Sequence, residues 1–114
     1  MLHLALHFAV PFLVALAVYR DHWRRALFFL IATIVVDLDH LLADPIYDPE
    51  RCSIGFHPLH TAPAIAFYAL LFAFPLLLSR NADVPFLRSA AGTTHLIGLG
   101  LLIHMALDWG DCLL

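Results

Sequence analysis

Lysine is absent from this chain, and glutamate occurs once, at Glu50. Six arginines stand against nine acidic residues, which gives a formal charge of −3. A nucleic-acid-binding face needs clustered positive charge, so that class of function is excluded. Charged residues make up only 13% of the sequence and hydrophobic residues 62%. An ordinary soluble domain is roughly a quarter charged and about half apolar. The composition excludes such a domain and predicts a compact membrane one. No low-complexity segment or long linker divides the chain, so a single domain over 1–114 is expected. The first apolar run has no basic segment before it and no small-residue cleavage site after it. It therefore does not read as a removable signal peptide.

What is present is long apolar runs. Helices are expected at about 2–19, 23–43, 57–79 and 87–110, with an outer loop at 44–56. Each apolar stretch has about 18–23 residues, close to what a helix needs to cross a hydrocarbon layer of about 30 Å. At this length only a helix satisfies its own backbone in lipid. The expected fold class is an all-α integral membrane protein, a four-transmembrane-helix bundle with a polar metal site near the outer face. Pro11, Pro63 and Pro75 lie inside the runs and predict kinks. Arg20, Arg24 and Arg25 join the first two runs, Arg80 and Arg88 join the last two, and Arg51 alone lies in the remaining loop. The positive-inside rule then places both termini and the 44–56 loop outside. In a bacterial inner membrane the metal site faces the periplasm. Asp37, Asp39, Asp44, Asp48, Glu50, Asp108 and Asp111 fall on that outer side. Asp21, at the inner end, is expected to cap the second helix.

The metal-binding residue types form four clusters at the outer end. His3 and His7 are spaced i, i+4 on one helix face, as are His104 and Asp108, with Asp111 at i+7. Asp37 and His40 are i, i+3, and His57 and His60 repeat that spacing, with Pro58 suited to a first helical turn. Inward-facing pairs of this kind build metal sites in helical bundles. Buried imidazoles and carboxylates at membrane depth are costly, and a bound divalent cation offsets that cost. The expected metal ligands are His3, His7, Asp37, His40, His57, His60, His104 and Asp108. A His and carboxylate set without thiolate suits zinc first, with iron and manganese as alternatives, as one or two ions. On an α-helix Asp39 points away from Asp37, so one of the two orients a ligand instead. The preferred assignment puts Asp37 inside with His40.

The remaining polar residues receive simpler readings. His95 is expected to hydrogen-bond a neighbouring helix, and His22 to be a solvated surface residue. Cys52 and Cys112 share the outer side, where an oxidising compartment permits a disulfide. Two unpaired thiols are the alternative. Arg51 either holds an anionic head group or pairs with Glu50 or Asp48. LHLALHFAVPF and FHPLHTAPAIAF each carry two histidines and then a proline, a faint parallel repeat.

In the segments VVDLDHLLADPIYDPERCSIGFHPLHT and LIGLGLLIHMALDWGDC the chain resembles a small bacterial membrane family of unknown function. In its motifs it also resembles the YdjM-like membrane-bound metal-dependent hydrolases. Those carry an early His, a DxDH-like segment, an H-x-x-x-T-H-like segment and a late HxxxD. Here the third element is HPLHT, which leaves open whether His57 or His60 is the ligand. The resemblance extends weakly to zinc-dependent phospholipase C and nuclease folds, and it implies phosphoester hydrolysis, of a lipid in particular.

The function expected is a membrane-embedded metal-dependent hydrolase with a metal-activated water as nucleophile. Its substrate would be a phosphoester or other bond of a lipid or lipid-linked head group, reached from the outer leaflet. Asp39, or Asp111 near the surface, would act as general base, and the 44–56 loop would form a rim. Membrane lipid is the expected partner, and homodimerisation is open. A di-iron or di-manganese lipid redox enzyme is a rival, although its usual bridging glutamates are missing. A metal-binding or transport protein is a second rival. The inner half offers a conduit little beyond Thr33, Thr93, Thr94 and His95. A structural metal is a third, since small scaffolds often need one.

Overall fold

The structure, a computed structural model, describes residues 2–44, 52, 54–78 and 89–113; the side chains of residues 2, 3 and 78 lie outside that description. Among the described residues every regular element is helical. The α-helices are α1 (Leu2–Val18), α2 (Trp23–Ala32), α3 (Ala62–Leu78) and α4 (Ala90–Leu113). Three 3₁₀ segments accompany them, at Arg20–His22, Thr33–Leu42 and Pro58–His60. The expectations for His3 as a ligand, for Arg51, for Arg80 and Arg88, and for most of the 44–56 rim fall outside the described residues.

Helix α4 is 24 residues long and is long and apolar enough to cross a membrane; α1 and α3 are apolar but have 17 residues each. It packs against α1, α2 and α3 in turn. Close approach is possible because α4 presents glycine at the contacts. A Cβ on Gly98 would lie 2.7 Å from the backbone carbon of Leu71, and one on Gly100 would lie 2.7 Å from Thr33 Oγ1. Two apolar clusters fill the interior. One holds Ala15, Ala26, Leu30 and Leu96, and the other Val36, Tyr68 and Met105. Apolar side chains also cover the outside, Leu13, Phe28, Phe67 and Leu77 among them.

The stretch expected as one helix over 23–43 divides after Ala32. From Thr33 to Leu42 it winds as a 3₁₀ helix, with three residues per turn in place of 3.6. Thr33, Val36 and Asp39 are buried, Val35, Leu38 and Leu41 are exposed, and the residues between are half-buried. The third helix, expected from residue 57, begins at Ala62, and His57 instead precedes a 3₁₀ turn. Pro63 accordingly falls in the first turn of α3, where no intrahelical N–H is needed. Asp21 lies in the Arg20–His22 segment. The N-cap of α2 is His22, without a side-chain capping bond, so the expected Asp21 cap is not formed.

At the end remote from the metal-binding residue types, His95 ties three helical elements together. Its Nδ1 donates to the Phe72 carbonyl (2.9 Å), so its Nε2 accepts from the Tyr19 hydroxyl (2.6 Å). The Phe72 ring stacks on the imidazole. Arg25 donates to the Thr93 hydroxyl nearby. His95 thus has the interhelical role its sequence position suggests.

Candidate metal centre

The winding of 33–42 decides how its acids face. At about 120° per residue, Asp37 and His40 align along the helix, and Asp39 lies about 120° from Asp37 instead of the ~160° of an α-helix. Both acids therefore reach the same cluster from adjacent faces. Asp39 is buried, and its carboxylate accepts three hydrogens. The donors are His60 Nδ1 (2.9 Å), the Leu59 backbone N–H (2.9 Å) and His40 Nδ1 (3.0 Å).

The turn that carries His60 is pinned at almost every backbone group. His60 N–H donates to the His57 carbonyl, and Gly55 N–H donates to the His60 carbonyl. Gly55 has φ +85°, a backbone conformation open to glycine at little cost. The Tyr68 hydroxyl donates to the Leu59 carbonyl (2.8 Å), and Thr61 Oγ1 to the Pro58 carbonyl. His60 is consequently fully buried and fixed in orientation. With Nδ1 donating to Asp39, its Nε2 carries the lone pair in the neutral ring.

That Nε2 faces two carboxylates. It lies 3.0 Å from Asp108 Oδ2 and 3.3 Å from Asp37 Oδ1, yet makes no hydrogen bond. His104 Nε2 lies 2.9 Å from Asp37 Oδ1 and 3.2 Å from Asp108 Oδ2. Asp37, His60, His104 and Asp108 each offer one ligand atom, all within 4.8 Å of one another. His7 Nε2 approaches the other oxygen of Asp108 at 3.1 Å. A buried nitrogen lone pair between two carboxylates is a costly arrangement that a cation relieves. Two imidazoles and two carboxylates fit a divalent cation of the zinc, iron or manganese type. A carboxylate behind the imidazole, here Asp39 behind His60, is the usual second support of such a ligand.

A second group, Asp37, Asp39, His40 and His60, also lies within ligand-to-ligand distance. Asp39 is already occupied there by three N–H donors, and so it orients its neighbours. His57 is buried and stacks on His40, with ring centroids 3.7 Å apart, and flanks the centre without joining the four donors. Between His57 and His60, which the HPLHT motif leaves open, the structure brings His60 to the centre. Asp111, considered as a base, is exposed and stands beyond Asp108 towards the end of α4. Tyr68 and the backbone of Leu59 are the supports the sequence reading did not name. Tyr68 lies within an apolar run and shares no ligand spacing. Cys52 and Cys112 form a disulfide, with Cα atoms 5.3 Å apart, which joins the segment before the His60 turn to the end of α4.

The centre is lopsided in its exposure. The side chains of His60, His104 and Asp108 are at most 4% exposed, whereas that of Asp37 is 39% exposed. The approach from solvent is on the Asp37 side. Behind His7 and His104, against Thr33 and Gly100, lies a cavity of about 10 Å³, about the size that holds one water.

Fold and site together define an all-helical protein with a buried His and Asp cluster suited to a metal ion. The chain belongs to the family of unknown function DUF6122, which it matches over residues 1–114. No curated protein and no solved structure matches it.

Proposed function

We propose that this protein is a membrane-embedded, metal-dependent hydrolase acting on a lipid or lipid-linked head group. The observation that carries the reading is the convergence of Asp37, His60, His104 and Asp108 around a buried imidazole nitrogen that makes no hydrogen bond. Zinc is the first candidate for the ion. When bound, a divalent cation at these residues activates water and polarises the bond to be cleaved. Asp39 holds the His60 ring in register, and His7 steadies Asp108 from behind. Engaged by three donors, Asp39 serves as a positioning residue in preference to the general base first considered for it. His40, whose Nδ1 donates to Asp39 and lies 3.6 Å from Asp37, stands at the half-exposed rim of the centre. The exposed edge at Asp37 favours catalysis over a purely structural metal, which would be closed on all sides.

Membrane placement is supported by the length and composition of α4 and by the large apolar side chains on the surface, such as Phe28 at 68% and Leu42 at 77% exposed. Soluble monomers rarely expose large contiguous apolar patches. The resemblance of the His and Asp motifs to YdjM-like hydrolases supports the reaction class. A bacterial inner-membrane location with the centre towards the periplasm completes the reading.

Elemental analysis of purified protein tests the site. One divalent ion per chain is expected, with His104→Ala and Asp108→Ala each losing most of it. Unchanged metal in both variants would sink the assignment. Metal-loaded protein should then release head group from phospholipid vesicles, and chelation should stop it. Metal binding without any such release would leave a metal-binding protein.

A further inference from the structure

A groove of about 430 Å³ runs along the surface between α2 with its 3₁₀ continuation, α3 and α4. Phe29, Val36, Leu59, Tyr68, Ile97 and Leu101 line it, and Thr33 borders it. Among the described residues no charged one lines it. The two hydroxyls at its wall are committed to backbone carbonyls, Thr33 to Leu30 (2.7 Å) and Tyr68 to Leu59 (2.8 Å). An occupant therefore finds no spare hydroxyl hydrogen there and needs none, which selects hydrocarbon over any polar ligand. One end of the groove adjoins the metal centre through the chain itself. Leu59 precedes His60, and Val36 precedes Asp37. From Val36 to Phe29 it extends roughly 12 Å by helix rise.

We infer that this groove holds one hydrocarbon chain of a lipid whose head group is presented at Asp37, His60, His104 and Asp108. The inference rests on the membrane placement proposed above and specifies the substrate class, an acyl lipid, of the same site. Cleavage would then fall at the head-group end, since the chain fixes the lipid lengthwise. A peptide segment or a helix of a second copy is the competing occupant. A peptide would bring backbone N–H and C=O groups into a wall that does not complement them.

Photolabelling of the full chain in lipid nanodiscs decides this. The probes are a phosphatidylglycerol with a diazirine in one acyl chain and the corresponding free diazirine fatty acid. Adducts are expected to concentrate on Val36, Leu59 and Leu101 over Leu13 and Leu77 on other exposed faces. Ala32, exposed at the groove, gives the filling variant Ala32→Trp. Groove adducts should fall roughly tenfold in it, with metal content and Leu13 labelling unchanged. Ile97→Trp fills the groove from α4 and should do the same. Labelling by the phospholipid alone assigns a complex lipid, and labelling by the free acid alone assigns a fatty acid. Adducts spread evenly over all faces overturn the inference. So does a groove without adducts whose Ala32→Trp variant dissociates a dimer, which would assign the groove to a second copy. Retained groove labelling in protein that binds no metal would overturn the hydrolase reading and leave the groove standing. Absence of groove labelling in the parent protein with its metal intact would do the reverse.

Discussion

The residue that organises the centre is Asp39, although it stands outside the group formed by Asp37, His60, His104 and Asp108. Its two oxygens hold His60, His40 and the Leu59 amide, so it determines which nitrogen of His60 points inward. Asp39→Asn keeps the size and removes the charge. It should weaken divalent-ion affinity by about 10–100-fold, as measured by competition with a chelating dye, while helical content by circular dichroism stays unchanged. Affinity equal to the parent would show that Asp39 does not support His60. Most of the His and Asp cluster was legible because these residues are conspicuous in an apolar chain and because i, i+3 and i, i+4 spacing implies a shared face. The choice between His57 and His60 was not legible. It depends on which ring Asp39 reaches, and the two residues are only three positions apart. Tyr68 was invisible for a related reason, since its partner is a backbone carbonyl.

At the scale of elements, two features set the geometry, the 3₁₀ winding of Thr33–Leu42 and the glycines of α4. The four helical stretches were legible from apolar runs alone, but the winding was not. Ile34, Val35, Val36, Leu38, Leu41 and Leu42 are apolar on every side, so hydropathy carries neither a period of three nor one of 3.6. Only burial shows the period, and burial is a product of packing. Glycine's role is testable by contrast. Gly98→Ala places a Cβ 2.7 Å from the Leu71 backbone, which must shift. It should destabilise by about 1–3 kcal/mol, seen as a lowered midpoint in thermal unfolding in detergent. Gly110→Ala meets nothing within 4 Å among the described residues and should be neutral or slightly stabilising. Equal effects at the two positions would argue against close α3–α4 packing.

For the molecule as a whole, the disulfide matters as much as the helices. It spans a sequence separation of 60, and the enclosed stretch carries the His60 turn, α3 and α4. His60, His104 and Asp108 therefore belong to one closed covalent loop, while His7 and Asp37 come from the strand of chain that leads into it. Limited trypsin cleavage at Arg80 or Arg88 tests this. The nicked chain should run as one band until reductant is added and then as two, and Cys112→Ser should give two pieces at once. Separation without reductant would rule the bond out. A loop closed in this way turns a break in the chain into a mere change of connectivity. The segment between α3 and α4 could be severed, or the chain permuted there, and all four inferred donors would still be tethered to one another, Asp37 and His60 on one piece and His104 and Asp108 on the other.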